Sequence, residues 1–182
     1  ELSFRVRVAA PITGTTRSFQ CGLVNVPAGP LAADPGTDSS WINPCTGYFF
    51  RLKETTAGLV ETYKQMGSSG TTPYQGAGTV ITNLSTGISG VTAVFGADTA
   101  AHSVVLRLTR IESRIQIDSY WDGTLVSTAV DDGTKGAGSL GGPGPYSTFN
   151  TVGLLYGTGN IDYIVDDVKL TANWAQYEPP LG

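Results

Sequence analysis

The stretch SVVLRLTRIESRIQIDSYWDGTLVSTAV, residues 103–130, decides the fold. Val104, Leu106 and Leu108 share one face of it, followed by Ile115 and Ile117, then Val126 and Val130. A period of two is what a half-buried strand requires, because successive side chains point to opposite sides of a sheet. Turn signals at Ile111-Glu112-Ser113 and Asp122-Gly123 divide the stretch into three strands. Asp-Gly tolerates the positive φ angles of a type I′ hairpin turn, so the pattern predicts an antiparallel meander whose register is set locally. Trp121 falls on the Ile117 face and is expected in the core.

Outward from this block the same rhythm continues. Leu2, Phe4, Val6 and Val8 alternate with polar residues and predict a first strand; residues 19–26 predict a second, stopped by Pro27. Residues 28–44, rich in Pro, Gly, Asp and Ser, predict a long surface loop that carries Trp41. Residues 48–53 and 59–65 predict a hairpin around Thr55-Thr56-Ala57-Gly58. Residues 67–78 read as a polar loop, and 80–95, broken by Gly87 and Gly90, as weak strands. The Gly-rich segment 131–145 is nearly devoid of apolar side chains and predicts a loop. Residues 151–156 and 161–172 complete the strands before the tail 174–182. The expectation is one all-β domain over residues 1–172, a two-sheet antiparallel β-sandwich, with 173–182 as a C-terminal tail or linker.

Composition narrows the function. Charged residues make up 14% of the 182, the net charge is -4, and the eleven Lys and Arg are dispersed, so no basic stripe is available for nucleic acid. The longest apolar stretches, such as 152–156, are far shorter than the roughly 20 residues of a transmembrane helix. Glu1 leads directly into a strand pattern without a basic and apolar leader, as in a mature chain or an excised domain. Scarce Lys and abundant Thr, Ser and Gly point to an extracellular or cell-surface protein. Cys21 and Cys45 would close a loop of about 24 residues, worth roughly 3 kcal/mol in the chain-entropy model. A disulfide is expected in an oxidising setting, the alternative being two buried thiols on separate strands.

The segments "LSFRVRV", "GYFFRL…GLVETYKQ", "HSVVLRLTRIESRIQIDSYWDGTLV" and "VGLLYGTGNIDYIVDDVKLTA" together resemble the concanavalin A-like lectin/glucanase superfamily, especially bacterial LamG-type domains. The resemblance covers most of the chain. It implies a jelly roll that binds glycans, peptides or neighbouring domains and frequently carries a structural calcium. Some members are glycosidases or polysaccharide lyases, whose reactions need particular constellations.

Those constellations can be sought residue by residue. A retaining glycanase needs paired acids about 5 Å apart, displayed as Glu-x-Asp-x-(x)-Glu on one strand, and that motif is absent. Glu54 and Glu61 lie beside Arg51, Lys53 and Lys64 and are expected to form surface ion pairs. Arg110-Ile111-Glu112-Ser113-Arg114 matches the Arg-x-Glu-x-Arg pattern of some alginate lyases, but falls on a turn instead of a strand. His102, the single histidine, stands at a strand start with no Gly-x-Ser-x-Gly elbow in the chain. Asp162, Asp166 and Asp167, or Asp131 and Asp132, are candidate oxygen ligands for calcium. Alternation groups Asp166 with Ile164, Val168 and Leu170, where a carboxylate needs a partner. Sugar recognition requires aromatic rings flanked by polar groups, for which Trp41, Phe49, Tyr120, Asp118 and Arg51 are the candidates. The expected function is a non-catalytic carbohydrate-binding or adhesion module whose partner is a polysaccharide or glycan. The alternative is a structural subunit of a surface layer, filament or virion, whose partners are copies of itself or neighbouring surface proteins. A lyase or glycosidase comes third.

Overall fold

The computed structural model describes residues 1–10, 17–29, 44–54, 59–66, 81–89, 99–134, 144–156 and 163–172. Among these are ten strands and no helix, hence no helix long and apolar enough to cross a membrane. The strands are β1 (Leu2–Val8), β2 (Arg17–Asn25), β3 (Thr46–Glu54), β4 (Leu59–Met66), β5 (Ile81–Ser89), β6 (His102–Ile111), β7 (Arg114–Trp121), β8 (Thr124–Asp131), β9 (Thr151–Tyr156) and β10 (Tyr163–Leu170). They form two five-stranded sheets, a front sheet ordered β10-β1-β6-β7-β8 and a back sheet ordered β5-β4-β3-β2-β9. Every pairing described is antiparallel.

The alternating residues meet between the sheets. Leu2, Phe4, Val6, Val104, Leu106, Ile117 and Trp121 from the front pack against Phe19, Cys21, Leu23, Tyr48 and Phe50 from the back. The meander forms as predicted, and both of its turns have two residues. Asp122 (φ 47°) and Gly123 (φ 78°) are both left-handed, as a type I′ turn demands, whereas Glu112 adopts φ 55° in the other. Of the weak stretch at 80–95, residues 81–89 form β5, and the remainder lies outside the described residues. The side-chain amide of Asn150 extends the β2–β9 ladder by one rung: Val26 N–H donates to its Oδ1 at 2.8 Å and its Nδ2 donates to Val26 C=O at 3.0 Å.

Two bulges overturn expected faces. On β8, Ser119 pairs with Ser127 but Tyr120 pairs with Leu125, so Val126 is an extra residue. One inserted residue flips the parity of everything after it. Val130, expected on the core face with Val126, is therefore 47% exposed, while Asp131, expected to begin a loop, ends β8 fully buried. On β10 the partners of Ser3 and Arg5 are Lys169 and Asp166, with Asp167 (φ 56°) in the bulge between them.

The disulfide expectation also requires correction. Cys21 and Cys45 are separate buried thiols. In the β2–β3 register Cys21 faces Phe50 and Asn25 faces Thr46. Cys45 therefore lies beside Val26, roughly 16 Å along the strand from Cys21. A bridge needs Cα atoms within about 7 Å.

Candidate functional site

Of the residues expected to bind a ligand, Asp118 and Tyr120 are brought together. Both project from β7 onto the outer face of the front sheet, because Ile117, Ser119 and Trp121 take the inner face. The hairpin register sets Arg107 of β6 opposite Asp118 and Thr128 of β8 on its other side. Gln116 Nε2 donates to both Asp118 carboxylate oxygens at 3.1 and 2.9 Å, and Thr128 Oγ1 donates to Oδ1 at 2.9 Å. Arg107 Nε donates to Glu1 Oε2 at 2.9 Å and its Nη1 to the Tyr120 hydroxyl at 3.2 Å, with the guanidinium 5.1 Å from the ring centroid. The Glu1 carboxylate, as the first cause, holds the Arg107 guanidinium even further above its usual pKa. The result is a polar row that runs from Glu1, just before β1, across β6, β7 and β8. Arg107 was not among the expected contacts. Its signal was present, since it lies between Leu106 and Leu108 and a two-residue turn at Glu112-Ser113 pairs it with Asp118.

The other expected contacts do not join this row. Phe49 and Arg51 are on β3 in the back sheet, and Phe49 is only 2% exposed, so its ring is not offered to solvent. It lies over Gly22, where an added Cβ would meet Phe49 Cδ1 at 2.5 Å. Trp41 lies outside the described residues, as does Asp162. Asp166 is exposed and lies opposite Arg5 in the register. Asp132 accepts from the hydroxyl and the N–H of Thr134, at 2.7 and 3.0 Å, which lowers its pKa. No three His, Cys, Asp or Glu side chains converge among the described residues.

His102 begins β6 as expected. Its Nδ1 lies 2.7 Å from Asp122 Oδ2, and its ring stacks on Trp121 with centroids 4.6 Å apart. Asp122 Oδ1 also accepts from Ser103 N–H at 2.8 Å, so this carboxylate ties the β7–β8 turn to the start of β6. The Arg-x-Glu-x-Arg match sits on the β6–β7 turn, with Arg110 Nε donating to the Glu112 carbonyl at 3.2 Å.

A second polar cluster lies inside the protein, where the sequence pattern predicted none. Lys64, expected on the surface, points inward opposite Tyr48, and its Nζ is 2.8 Å from Asp131 Oδ2 with both side chains 0% exposed. The Tyr48 hydroxyl donates to Asp131 Oδ2 at 2.7 Å and accepts from Tyr146 N–H at 2.8 Å. Gly133 N–H donates to Asp131 Oδ1 at 3.0 Å, and Lys64 Nζ donates to the Gly144 carbonyl at 3.0 Å, above the Tyr146 ring at 4.7 Å. Burying each ion costs several kcal/mol, which these bonds and the cation–π contact offset. Burial first, then Asp131, hold the Tyr48 phenol far above its usual pKa. One rung away, the Thr62 and Ser127 hydroxyls meet at 3.0 Å between the same two strands.

Compared with family models, curated proteins and solved structures, the chain matches none of them.

Proposed function

We propose that the chain is a non-catalytic extracellular module for carbohydrate binding or adhesion, and that its ligand lies on the outer face of the front sheet against Arg107, Tyr120, Asp118 and Gln116. The observation that carries this reading is the polar row itself: donors, acceptors and one aromatic ring are held in fixed positions on adjacent strands. Sugar hydroxyls seek directional hydrogen bonds while C–H faces pack on rings, and groups mounted on strands stay closer to productive geometry than groups on loops. The concanavalin A-like jelly roll is part of the proposal. Its support is the pairing of the last two strands with the first two, β9 on β2 and β10 on β1. The non-catalytic reading is supported by Asp118 and His102, each hydrogen-bonded within the fold.

The test is a glycan array followed by affinity electrophoresis, with and without calcium. Retention that disappears in Arg107→Ala and Tyr120→Ala, while their unfolding midpoints stay near that of the parent, supports the reading. No retention of the parent chain on any polysaccharide counts against it.

A second reading, assembly into a surface structure, is favoured by the β10 edge. This strand has a partner only on its β1 side among the described residues, and Val168 and Leu170 on it are 52% and 59% exposed. An unpaired edge can accept a strand from a neighbouring chain. Size-exclusion chromatography decides: a monomer at the highest attainable concentration argues against it.

A further inference from the structure

We propose that Lys64 and Asp131 are the two halves of an intramolecular isopeptide bond that joins β4 of the back sheet to β8 of the front sheet. The inference stands on the buried cluster alone and does not rest on the ligand reading above.

The two reacting groups are in contact, with Nζ 2.8 Å from Oδ2, and neither side chain is exposed. Each is held from several directions: Tyr48 O–H on Oδ2, Gly133 N–H on Oδ1, and the Gly144 carbonyl on Nζ. Amide formation from an amine and a carboxylic acid is unfavourable in dilute solution. Two features of this site reverse the balance. Fixing the partners in contact supplies an effective concentration of order 10⁵ M or more. The alternative to condensation, two full charges kept away from water, is itself costly.

The step balances without an oxidant or any other reagent. One proton passes from the Lys64 ammonium to Asp131 Oδ1, leaving a neutral amine and a neutral acid. Nζ attacks Cγ, and the negative charge that develops on Oδ2 is met by the Tyr48 O–H, a fixed donor of the oxyanion-hole kind. A second proton moves from Nζ to the departing oxygen, the Cγ–Oδ1 bond breaks, and one water leaves on the Gly133 side. The product is a secondary amide whose carbonyl oxygen, the former Oδ2, keeps the Tyr48 bond. Two buried charges have gone, and the sheets are tied covalently.

The test is the intact mass of the folded full chain after prolonged incubation, followed by proteolysis. The expected result is a mass lower than the sequence mass by one water and a branched peptide whose fragmentation joins Lys64 to Asp131. Lys64→Arg, which retains a cation but not an amine able to condense, and Asp131→Ala are expected at their full sequence masses with no branched peptide. A parent chain at full sequence mass with a linear Lys64 peptide overturns the proposal. So does a loss of water that fragmentation places at any other residue.

Discussion

Deleting one oxygen atom at Tyr48 tests the interior cluster most directly. Tyr48→Phe keeps the ring, which packs 6.0 Å from Tyr146 and 6.1 Å from Phe149 between centroids, so no cavity opens. It removes the donor to Asp131 Oδ2 and the acceptor for Tyr146 N–H. A hydrogen bond to a charged acceptor is worth about 1.5–3 kcal/mol, and a half-buried amide left without its acceptor costs about 1 more. The expected loss is therefore about 3 kcal/mol, or about 2 if Asp131 carries the amide. For a domain of this size that lowers Tm by roughly 5–10 °C. Tyr120→Phe is the control: the same atom is lost, but its single partner described is Arg107 at 3.2 Å on an exposed face, and the loss should stay below about 0.5 kcal/mol. Urea unfolding followed by tryptophan fluorescence measures both, with unchanged m values. Equal effects in the two variants, or a Tyr48→Phe loss below about 0.5 kcal/mol, would refute the buried network. A pH series adds a second check. Because the folded phenol is raised, its stabilisation is complete below the unfolded value near 10 and is lost as pH rises beyond it. Tyr48→Phe should flatten that alkaline limb.

Glu112 adopts φ 55° in its turn, a conformation that costs a residue with a Cβ about 1 kcal/mol, so Glu112→Gly should raise the urea midpoint by up to that amount. Gly22→Ala should do the reverse: its Cβ would collide with the Tyr48 carbonyl and the Phe49 ring, an overpacking cost of about 1–3 kcal/mol seen in thermal unfolding. Burial pushes the Cys45 thiol up to about 11 and Cys21 higher still, so neither should react with a thiol reagent at neutral pH until urea unfolds the chain. Rapid labelling of the native protein would contradict this. The Cys45 contribution to stability is intact at neutral pH and declines as pH climbs towards 11, because the unfolded thiol ionises first.

Several features of this protein were legible residue by residue. The meander, its Asp-Gly turn, the first strand and the hairpin of β3 and β4 follow from alternation and turn chemistry, which act within a few residues. The pairing of Asp118 with Arg107 was within reach for the same reason. The β5 stretch was harder, because its glycines weaken the alternating signal without preventing a strand. Phe49 was misplaced because it follows Tyr48 and precedes Phe50, and three aromatics in a row do not say which one faces solvent.

Sequence alone settled the class, all-β with two antiparallel layers, since a period of two is a local property of the chain. What it could not settle was parity after a bulge and distance across the interior. The extra residue at Val126 is invisible in the amino-acid string, yet it turns Val130 outward and Asp131 inward, and Asp131 then meets Lys64 from a strand sixty-odd positions away. The spacing of Cys21 and Cys45 likewise permits a bridge, and only the register of β2 on β3 separates them. In each case the deciding quantity is how far apart two segments lie once the sheets have packed, which no window along the chain contains.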